Sequence, residues 1–187
     1  MRVIICYNTL GRKRRNSMLD NFMPDFMFGK FDDVTPEFLK EHNIEFLLID
    51  IDNTLAPYEE PLPNERVIKW FDALRENGIK SVLVSNNHAE RVELFNSKLG
   101  LPAFADCHKP SPKRLRKYAD SIGAVTERTA ALGDQIFTDV WGAKKMGARA
   151  IIVPPIKDKK TLFFRAKRLL EKPIIRKYKK LHQEEKI

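Results

Sequence analysis

Four short apolar segments that alternate with helix-like stretches are the feature that most limits how this chain can fold. The segments occupy residues 46–50, 80–85, 129–132 and 149–153, and a weaker one lies near residues 103–105. They are almost continuously apolar rather than alternating, which is typical of strands in a parallel sheet that is covered on both faces. Helices are predicted between them, at residues 64–77, 89–99, 112–121 and 138–146. This order predicts an α/β fold with a doubly wound, mainly parallel sheet.

Polar residues follow three of the predicted strands at the point where each strand ends. Asp50, Ser85 and the pair Gly133 and Asp134 all occupy this position. In open α/β sheets, ligands bind at the carboxyl ends of the strands. We therefore expect these residues, although they are distant in sequence, to form one site.

Asp50 and Asp52 form the sharpest motif in the chain. In an extended segment, residues two positions apart point to the same side. Two carboxylates that lie close together repel each other, which favours one protonated and one ionised group near neutral pH. Phosphoryl transfer through a covalent intermediate uses such a pair, with one carboxylate as nucleophile and the other as acid. A DxD pattern also arises by chance and in other divalent-metal sites, so the motif alone leaves those alternatives open.

A second acidic segment, at residues 132–139, presents Asp134 and Asp139 after a glycine turn. Together with Asp50, these carboxylates are predicted to form an all-oxygen site that suits Mg²⁺. Asp139 has an alternative interpretation, because an acid near a helix N-terminus is favoured by the helix dipole.

Two loop segments are candidates for phosphate binding. Ser85, Asn86 and Asn87 place a hydroxyl and backbone N–H groups at a strand-to-helix junction, where they can cradle a phosphate. Lys109, followed by Pro110, can balance the negative charge of a phosphate and of the acids. Taken singly, both signals are weak, because Ser and Asn are common in loops and helix caps and most loop lysines have no such role.

Taken in order, the DxDNT motif at residues 50–54, Ser85, the pair Lys109 and Pro110 and the GDxxxxD motif at residues 133–139 resemble the four motifs of haloacid dehalogenase (HAD) phosphatases. The chain as a whole is similar to the YqeG branch of subfamily IIIA. The segments that carry this likeness are MPDF at 23–26, FLLIDIDNTL at 46–55, VSNN at 84–87, HKPSP at 108–112 and GDQIFTD at 133–139, followed by a basic tail. The resemblance implies a Rossmannoid three-layer sandwich without a cap domain.

The same resemblance implies roles for individual residues. Asp50 is expected to attack phosphorus and form an aspartyl-phosphate, while Asp52 protonates the leaving alcohol and then activates water. The expected Mg²⁺ ligands are the carboxylates of Asp50 and Asp134 and the main-chain carbonyl of Asp52. Asp139 is expected to support the metal site without binding the ion directly, and Lys109 is expected to hold Asp50 in position. The predicted phosphate-binding residues are Ser85, Asn86, Thr54 and Lys109.

The spacing of the motifs bears on the substrate. Asp50 and Ser85 are 35 residues apart, and Ser85 and Lys109 are 24 apart, so neither interval has room for an inserted cap domain. An open site favours a phosphate on something large, such as a lipid surface, a polymer or a protein. The YqeG branch is similar to mitochondrial-type phosphatidylglycerophosphate phosphatases, which implies phosphatidylglycerophosphate as the substrate. The alternatives are a HAD phosphatase for nucleic-acid ends or small phosphomonoesters, and a non-catalytic membrane or ribonucleoprotein adaptor.

Positive charge is concentrated at both ends of the chain. Of the net charge of +9, residues 157–187 contribute +8 (12 Lys/Arg against 4 Asp/Glu) and residues 1–31 contribute +4 (6 against 2), which leaves −3 for residues 32–156. We therefore divide the chain into an N-terminal extension (1–31), a phosphatase core (32–156) and a basic amphipathic tail (157–187).

Both basic ends also carry apolar residues at helical spacing. The N-terminal stripe is Leu19, Phe22, Met23, Phe26 and Met27, and the C-terminal stripe is Leu162, Phe163, Ala166, Leu169 and Leu170. This pattern is typical of a helix that lies on an anionic membrane, so we expect a cytoplasmic protein that is peripheral on the inner face of the membrane. The alternatives are that the stripes pack on the core, or that the basic residues follow a nucleic-acid backbone. Pro24 argues against a regular helix in the first stripe, and the tail has few aromatic residues to stack on bases.

Overall fold

Among the residues that the structure describes, six parallel strands form a central sheet. The computed structural model describes residues 18–157 and 162–183. The strands are β1 (Phe26–Met27), β2 (Phe46–Ile49), β3 (Lys80–Val84), β4 (Ala103–Phe104), β5 (Thr129–Gly133) and β6 (Arg149–Ile152). They lie in the order β1-β6-β5-β2-β3-β4, and every neighbouring pair is parallel. The predicted α/β fold with a mainly parallel sheet is confirmed, whereas β1 was not predicted.

Helices cover both faces of the sheet. They are α1 (Pro36–Glu41), α2 (Glu65–Glu76), α3 (Ala89–Asn96), α4 (Pro112–Asp120), α5 (Trp141–Met146) and α6 (Leu162–Gln183). Helices α1 to α3 pack on one face together with Leu47 and Ile49 of β2, and α4 to α6 pack on the other face together with Leu48. Because successive β2 residues enter opposite cores, the strand must be apolar throughout, and this explains the continuous apolar segment in the sequence.

Helix α2 shows how local sequence sets the bounds of an element. The side chain of Asn64 accepts a hydrogen bond from the backbone N–H of Val67 at 3.1 Å and caps the first turn. Four apolar residues at helical spacing, Val67, Trp70, Phe71 and Leu74, are buried against the sheet. The helix ends at Glu76 and is capped by Asn77. The next residue, Gly78, has a φ of +77°, a conformation that favours glycine. The predicted range of residues 64–77 therefore coincides with the helix and its two capping residues.

Four residues of the N-terminal apolar stripe, Phe22, Met23, Phe26 and Met27, pack on the core, and the side chain at position 19 lies outside the described part. A 3₁₀ turn at Met18–Phe22 is followed by β1, which pairs with β6, so no regular helix runs through Pro24. Phe26 is buried, and the ring of Phe22 lies 5.1 Å from that of Trp141. The first part of the predicted extension, residues 1–17, lies outside the described part of the chain, and the boundary at residue 31 stays a prediction.

Helix α6 packs on the core through a face other than the predicted stripe. Glu171, Ile174 and Tyr178 are buried, whereas Leu169 and Leu170 are 61% and 65% exposed. The side chains of the remaining stripe residues, at positions 162, 163 and 166, lie outside the described part. Among the described residues, no helix combines the length and apolar character needed to cross a bilayer.

Candidate active site

Three neighbouring strands deliver the predicted site residues to one edge of the sheet. Ile49 of β2 is in register with Leu132 of β5 and Leu83 of β3. Asp50, the residue after β2, therefore lies beside Gly133, which directly precedes Asp134. Asp50 also lies close to the end of β3, which Ser85 directly follows. The sequence predicted this convergence at the carboxyl ends of the strands, and the sheet order β5-β2-β3 produces it.

A buried cluster of three carboxylates and one lysine lies at this edge. Asp50, Asp134 and Asp139 each offer an oxygen within 4.8 Å of the others. The ammonium of Lys109 lies 2.6 Å from Oδ1 of Asp50 and 2.7 Å from Oδ1 of Asp139. Thr54 donates a hydrogen bond from its hydroxyl to Oδ2 of Asp50 at 3.1 Å. Both oxygens of Asp50 are thus held in fixed positions.

The electrostatics of this cluster favour a divalent cation. When all three carboxylates are ionised, they and the ammonium carry a net charge of −2 in a buried space. Burial raises the pKa of Asp50 to about 8, and Asp139 and Asp134 add to the rise against the opposing effect of Lys109. Burial by itself lowers the pKa of Lys109, but Asp139 and Asp50 outweigh it and hold that pKa above its ordinary value. Three hard oxygen donors with this charge fit Mg²⁺ or a similar divalent cation.

The turn after β5 is built around Asp139. Its carboxylate accepts hydrogen bonds from the backbone N–H of Gln135 at 3.1 Å and from the hydroxyl of Thr138 at 3.2 Å. A Cβ on Gly133 would lie only 2.3 Å from Cγ of Asp139. Glycine at position 133 is therefore required for Asp139 to reach Lys109, which explains the glycine of the GDxxxxD motif.

Asp52 has different neighbours from Asp50. Its Oδ2 accepts a hydrogen bond from the side-chain amide of Asn87 at 3.0 Å and lies 3.5 Å from the hydroxyl of Ser85. Its Oδ1 accepts a hydrogen bond from Nε of Arg91 at 3.2 Å. The sequence suggested that repulsion between Asp50 and Asp52 sets their protonation. In the structure the raised pKa of Asp50 comes from burial, which Lys109 opposes and Asp139 and Asp134 reinforce.

A cavity of about 220 Å³ opens above the cluster. It is lined by Asp50, Asp52, Tyr58, Ser85, Asn86, Asn87, Lys109, Gln135 and Thr138. Asn86 also holds the lysine loop, because its side-chain oxygen accepts a hydrogen bond from the backbone N–H of Lys109 at 2.7 Å. Thr54 lies against Asp50 rather than in the cavity wall, and its phosphate-binding role stays a prediction.

Sequence reasoning did not assign roles to several of the residues around the cavity. Tyr58 comes from the loop between β2 and α2, and Gln135 and Thr138 come from the turn after β5. Arg91 comes from the first turn of α3 and reaches the site through its contact with Asp52. Burial, and next the charges of Asp52, Asp50 and Asp134, raise the pKa of Tyr58, so its phenol keeps its proton and can donate a hydrogen bond. Arg91 stands in an ordinary helix start, and its sequence gave no signal of an active-site contact.

Comparison with known proteins identifies the family. The family described as haloacid dehalogenase-like hydrolase matches residues 9–147 of this chain. The protein described as probable phosphatase YqeG of Bacillus subtilis (strain 168) is 35% identical over 154 residues, which cover 82% of this chain and 90% of that protein. An uncharacterised protein of Listeria monocytogenes serotype 4b has a similar fold, with a TM-score of 0.51 and 14% identity over 63% of this chain and 85% of that one. The chain therefore belongs to the haloacid dehalogenase-like hydrolases, in the YqeG phosphatase family.

Proposed function

We propose that the protein is a Mg²⁺-dependent phosphomonoester hydrolase that works through an aspartyl-phosphate on Asp50. The observation that carries the proposal is the buried cluster beneath the cavity, where Asp50 lies 2.6 Å from the ammonium of Lys109 and offers an oxygen within 4.8 Å of oxygens of Asp134 and Asp139. This arrangement gives a nucleophile, a cation for a phosphoryl oxygen and a set of metal ligands in one place. When bound by these acids, Mg²⁺ supplies positive charge to the transferring phosphoryl group.

The proposed reaction has two steps at phosphorus. An oxygen of Asp50 bonds to phosphorus while the bond from phosphorus to the leaving oxygen breaks, and Asp52 gives its proton to that oxygen. In the second step water attacks the aspartyl-phosphate, Asp52 takes a proton from the water, and the bond between phosphorus and Asp50 breaks. Inorganic phosphate leaves and both carboxylates return to their starting forms. Lys109 and Ser85 line the cavity, which supports a role for them in holding phosphoryl oxygens.

We propose phosphatidylglycerophosphate as the substrate. The interval from Asp50 to Ser85 holds α2 and β3, and the interval from Ser85 to Lys109 holds α3 and the two-residue β4, so these two fully described intervals contain no cap domain. The open cavity supports a phosphate presented on a large assembly, and the likeness of the YqeG branch to phosphatidylglycerophosphate phosphatases supports the lipid.

The exposed face of α6 supports an anionic membrane as the partner. Leu169 and Leu170 are mostly exposed, and Leu181 is 47% exposed. Basic residues share this exposed surface, namely Lys172, Arg176, Lys177, Lys179 and Lys180. Each basic residue near an anionic surface contributes on the order of 1 kcal/mol to binding, and exposed leucines gain by entering lipid. A nucleic-acid backbone offers the leucines no comparable partner.

The function is tested by measuring phosphate release with Mg²⁺. Substrates are vesicles that contain phosphatidylglycerophosphate, a 3′-phosphorylated oligonucleotide and a panel of small phosphomonoesters. We expect the vesicles to be preferred, and Asp50→Asn to abolish turnover on every substrate, because the amide is not a nucleophile. Preference for the oligonucleotide or a small ester would remove the lipid substrate. Undiminished hydrolysis by the Asp50→Asn variant would remove the mechanism.

The membrane partner is tested on the exposed leucines of α6, because truncation would also remove the buried Ile174 and Tyr178. We expect the double substitution Leu169→Ser and Leu170→Ser to weaken vesicle binding about 10-fold or more, since burying a leucine is worth about 1.5–3 kcal/mol. Turnover on a soluble ester should not change. Leu94→Ser, at a leucine on α3 that is 45% exposed, is the matched control. Equal losses on vesicles and on the soluble ester would show that the leucines support only the fold.

A further inference from the structure

Arg91 is a buried arginine that spans two parts of the proposed active site. Its side chain is 8% exposed. On one side its Nε and one terminal nitrogen each lie 3.2 Å from Oδ1 of Asp52. On the other side, its second terminal nitrogen donates a hydrogen bond to the carbonyl oxygen of Pro61 at 3.1 Å. The guanidinium carbon also lies 5.1 Å above the ring of Phe95, which fixes the plane of the group.

These contacts fix the direction of the Asp52 carboxylate. Arg91 binds Oδ1, while Asn87 binds Oδ2 at 3.0 Å. Both partners come from the segment that joins β3 to α3 or from the first turn of α3 itself. A carboxyl group that is held at both oxygens cannot rotate freely, so it keeps one orientation beside the cavity.

The second contact fixes the loop between β2 and α2. Pro61 lies three residues after Tyr58, whose side chain lines the cavity. The hydrogen bond from Arg91 to Pro61 therefore connects the position of Asp52 with the position of the loop that carries Tyr58. A guanidinium can make both contacts because its donors diverge in a planar fork, which a lysine ammonium does not have.

We infer that Arg91 is a positioning residue that holds Asp52 where it can protonate the leaving oxygen and holds the Tyr58 loop against the cavity. This inference rests on the proposed function, in which Asp52 is the acid. Because protonation matters most when the leaving alcohol is a poor leaving group, loss of Arg91 should slow alkyl phosphates much more than p-nitrophenyl phosphate. A residue that only stabilises the fold would slow both alike.

The test compares kcat/KM for glycerol 3-phosphate and p-nitrophenyl phosphate with Mg²⁺ in the full chain. This parameter reports the steps up to loss of the leaving group. For Arg91→Met we expect about a 100-fold loss on the alkyl ester, the scale of a misplaced acid, and less than about a 5-fold loss on the aryl ester. Asp52→Asn should show the same selectivity. Arg66→Met is the matched control, because Arg66 pairs with Asp32 away from the cavity.

The conservative variant guards against a folding defect. Arg91→Lys keeps the charge but not the fork, and we expect about a 10-fold selective loss on the alkyl ester, between wild type and Arg91→Met. If circular dichroism shows that Arg91→Met does not fold, the result for Arg91→Lys alone tests the inference. Equal losses on both esters, or no loss on either, would overturn the inference. Failure of the proposed function is distinct, because the wild-type chain would then release no phosphate from the vesicles or from any soluble substrate, or Asp50→Asn would retain activity.

Discussion

Gly133→Ala is the substitution for which the structure predicts the largest effect from the smallest change. The new Cβ would lie 2.3 Å from Cγ, 2.5 Å from Cβ and 2.5 Å from Oδ2 of Asp139. Non-bonded carbon atoms need about 3.5–4.0 Å, so Asp139 must move by more than about 1 Å. The movement breaks or lengthens its 2.7 Å contact with Lys109 and its hydrogen bond with Gln135.

The expected cost follows from these contacts. Overpacking costs about 1–3 kcal/mol, and loss of one partner of a buried ion pair costs about 3–5 kcal/mol. Since Asp139 is displaced and not removed, we expect a total of about 3–5 kcal/mol in the free energy of unfolding. At about 2–4 °C per kcal/mol for a chain of this length, the melting temperature should fall by about 6–20 °C. A shift of about 1 Å at Lys109 should lower kcat/KM about 100-fold.

Urea unfolding and steady-state kinetics measure the two effects. Gly123→Ala is the control, because Gly123 has a φ of +69° and no atom within 4 Å of its Cβ position, so only the backbone cost of about 1–2 kcal/mol is expected. Asp139→Gly removes the clashing atoms, and in that background Gly133→Ala should cost much less. If Gly133→Ala costs no more than Gly123→Ala, or costs the same with and without the Asp139 side chain, the reasoning is refuted.

Two further predictions concern buried carboxylates. The pKa of Asp50 is raised from its ordinary value of 3.8 to about 8 in the metal-free protein. The folded chain therefore holds this proton more tightly than the unfolded chain does. The resulting stabilisation is complete below about pH 4 and is lost as the pH rises through about 8. We expect urea titrations of the metal-free protein to show this loss of stability, and we expect Asp50→Asn to reduce it. A pH profile that the substitution leaves unchanged would contradict the raised pKa of Asp50. Glu171 is 1% exposed and accepts a hydrogen bond from the backbone N–H of Ile136 at 3.0 Å; Glu171→Ala should therefore lower the free energy of unfolding by about 1–3 kcal/mol. Glu171→Gln, which keeps an acceptor, should lose less, and equal losses for the two variants would count against the hydrogen bond.

The parts of the site that sequence reasoning found are those set by strand ends. Asp50, Ser85 and Asp134 each directly follow the last residue of a strand. Parallel strands bring such residues to one edge of the sheet. Lys109 could be recognised only through the order of the four motifs, because a loop lysine has no periodic signal. The structure then places it between Asp50 and Asp139.

The parts that sequence reasoning missed depend on contacts between segments far apart in the chain. Arg91 and Asp52 are 39 residues apart, and Glu171 and Ile136 are 35 apart. Neither separation leaves a pattern in the sequence, because side-chain partners across a fold are chosen by packing. The fate of the C-terminal stripe was left open for the same reason, since helical spacing gives a face but does not say whether that face meets the core; in the structure Leu169 and Leu170 are exposed.

The sequence by itself determined the parallel α/β sheet, the edge at which the acids meet and the four motifs, because periodicity and strand ends are local properties of the chain. Only the tertiary structure decided that Asp52 is held by Arg91 and Asn87 and that Tyr58 reaches the cavity. It also decided that α6 buries Glu171, Ile174 and Tyr178 while exposing Leu169, Leu170 and Leu181. These outcomes depend on which surfaces pack together. Packing is a property of the whole fold and is not encoded in any one segment.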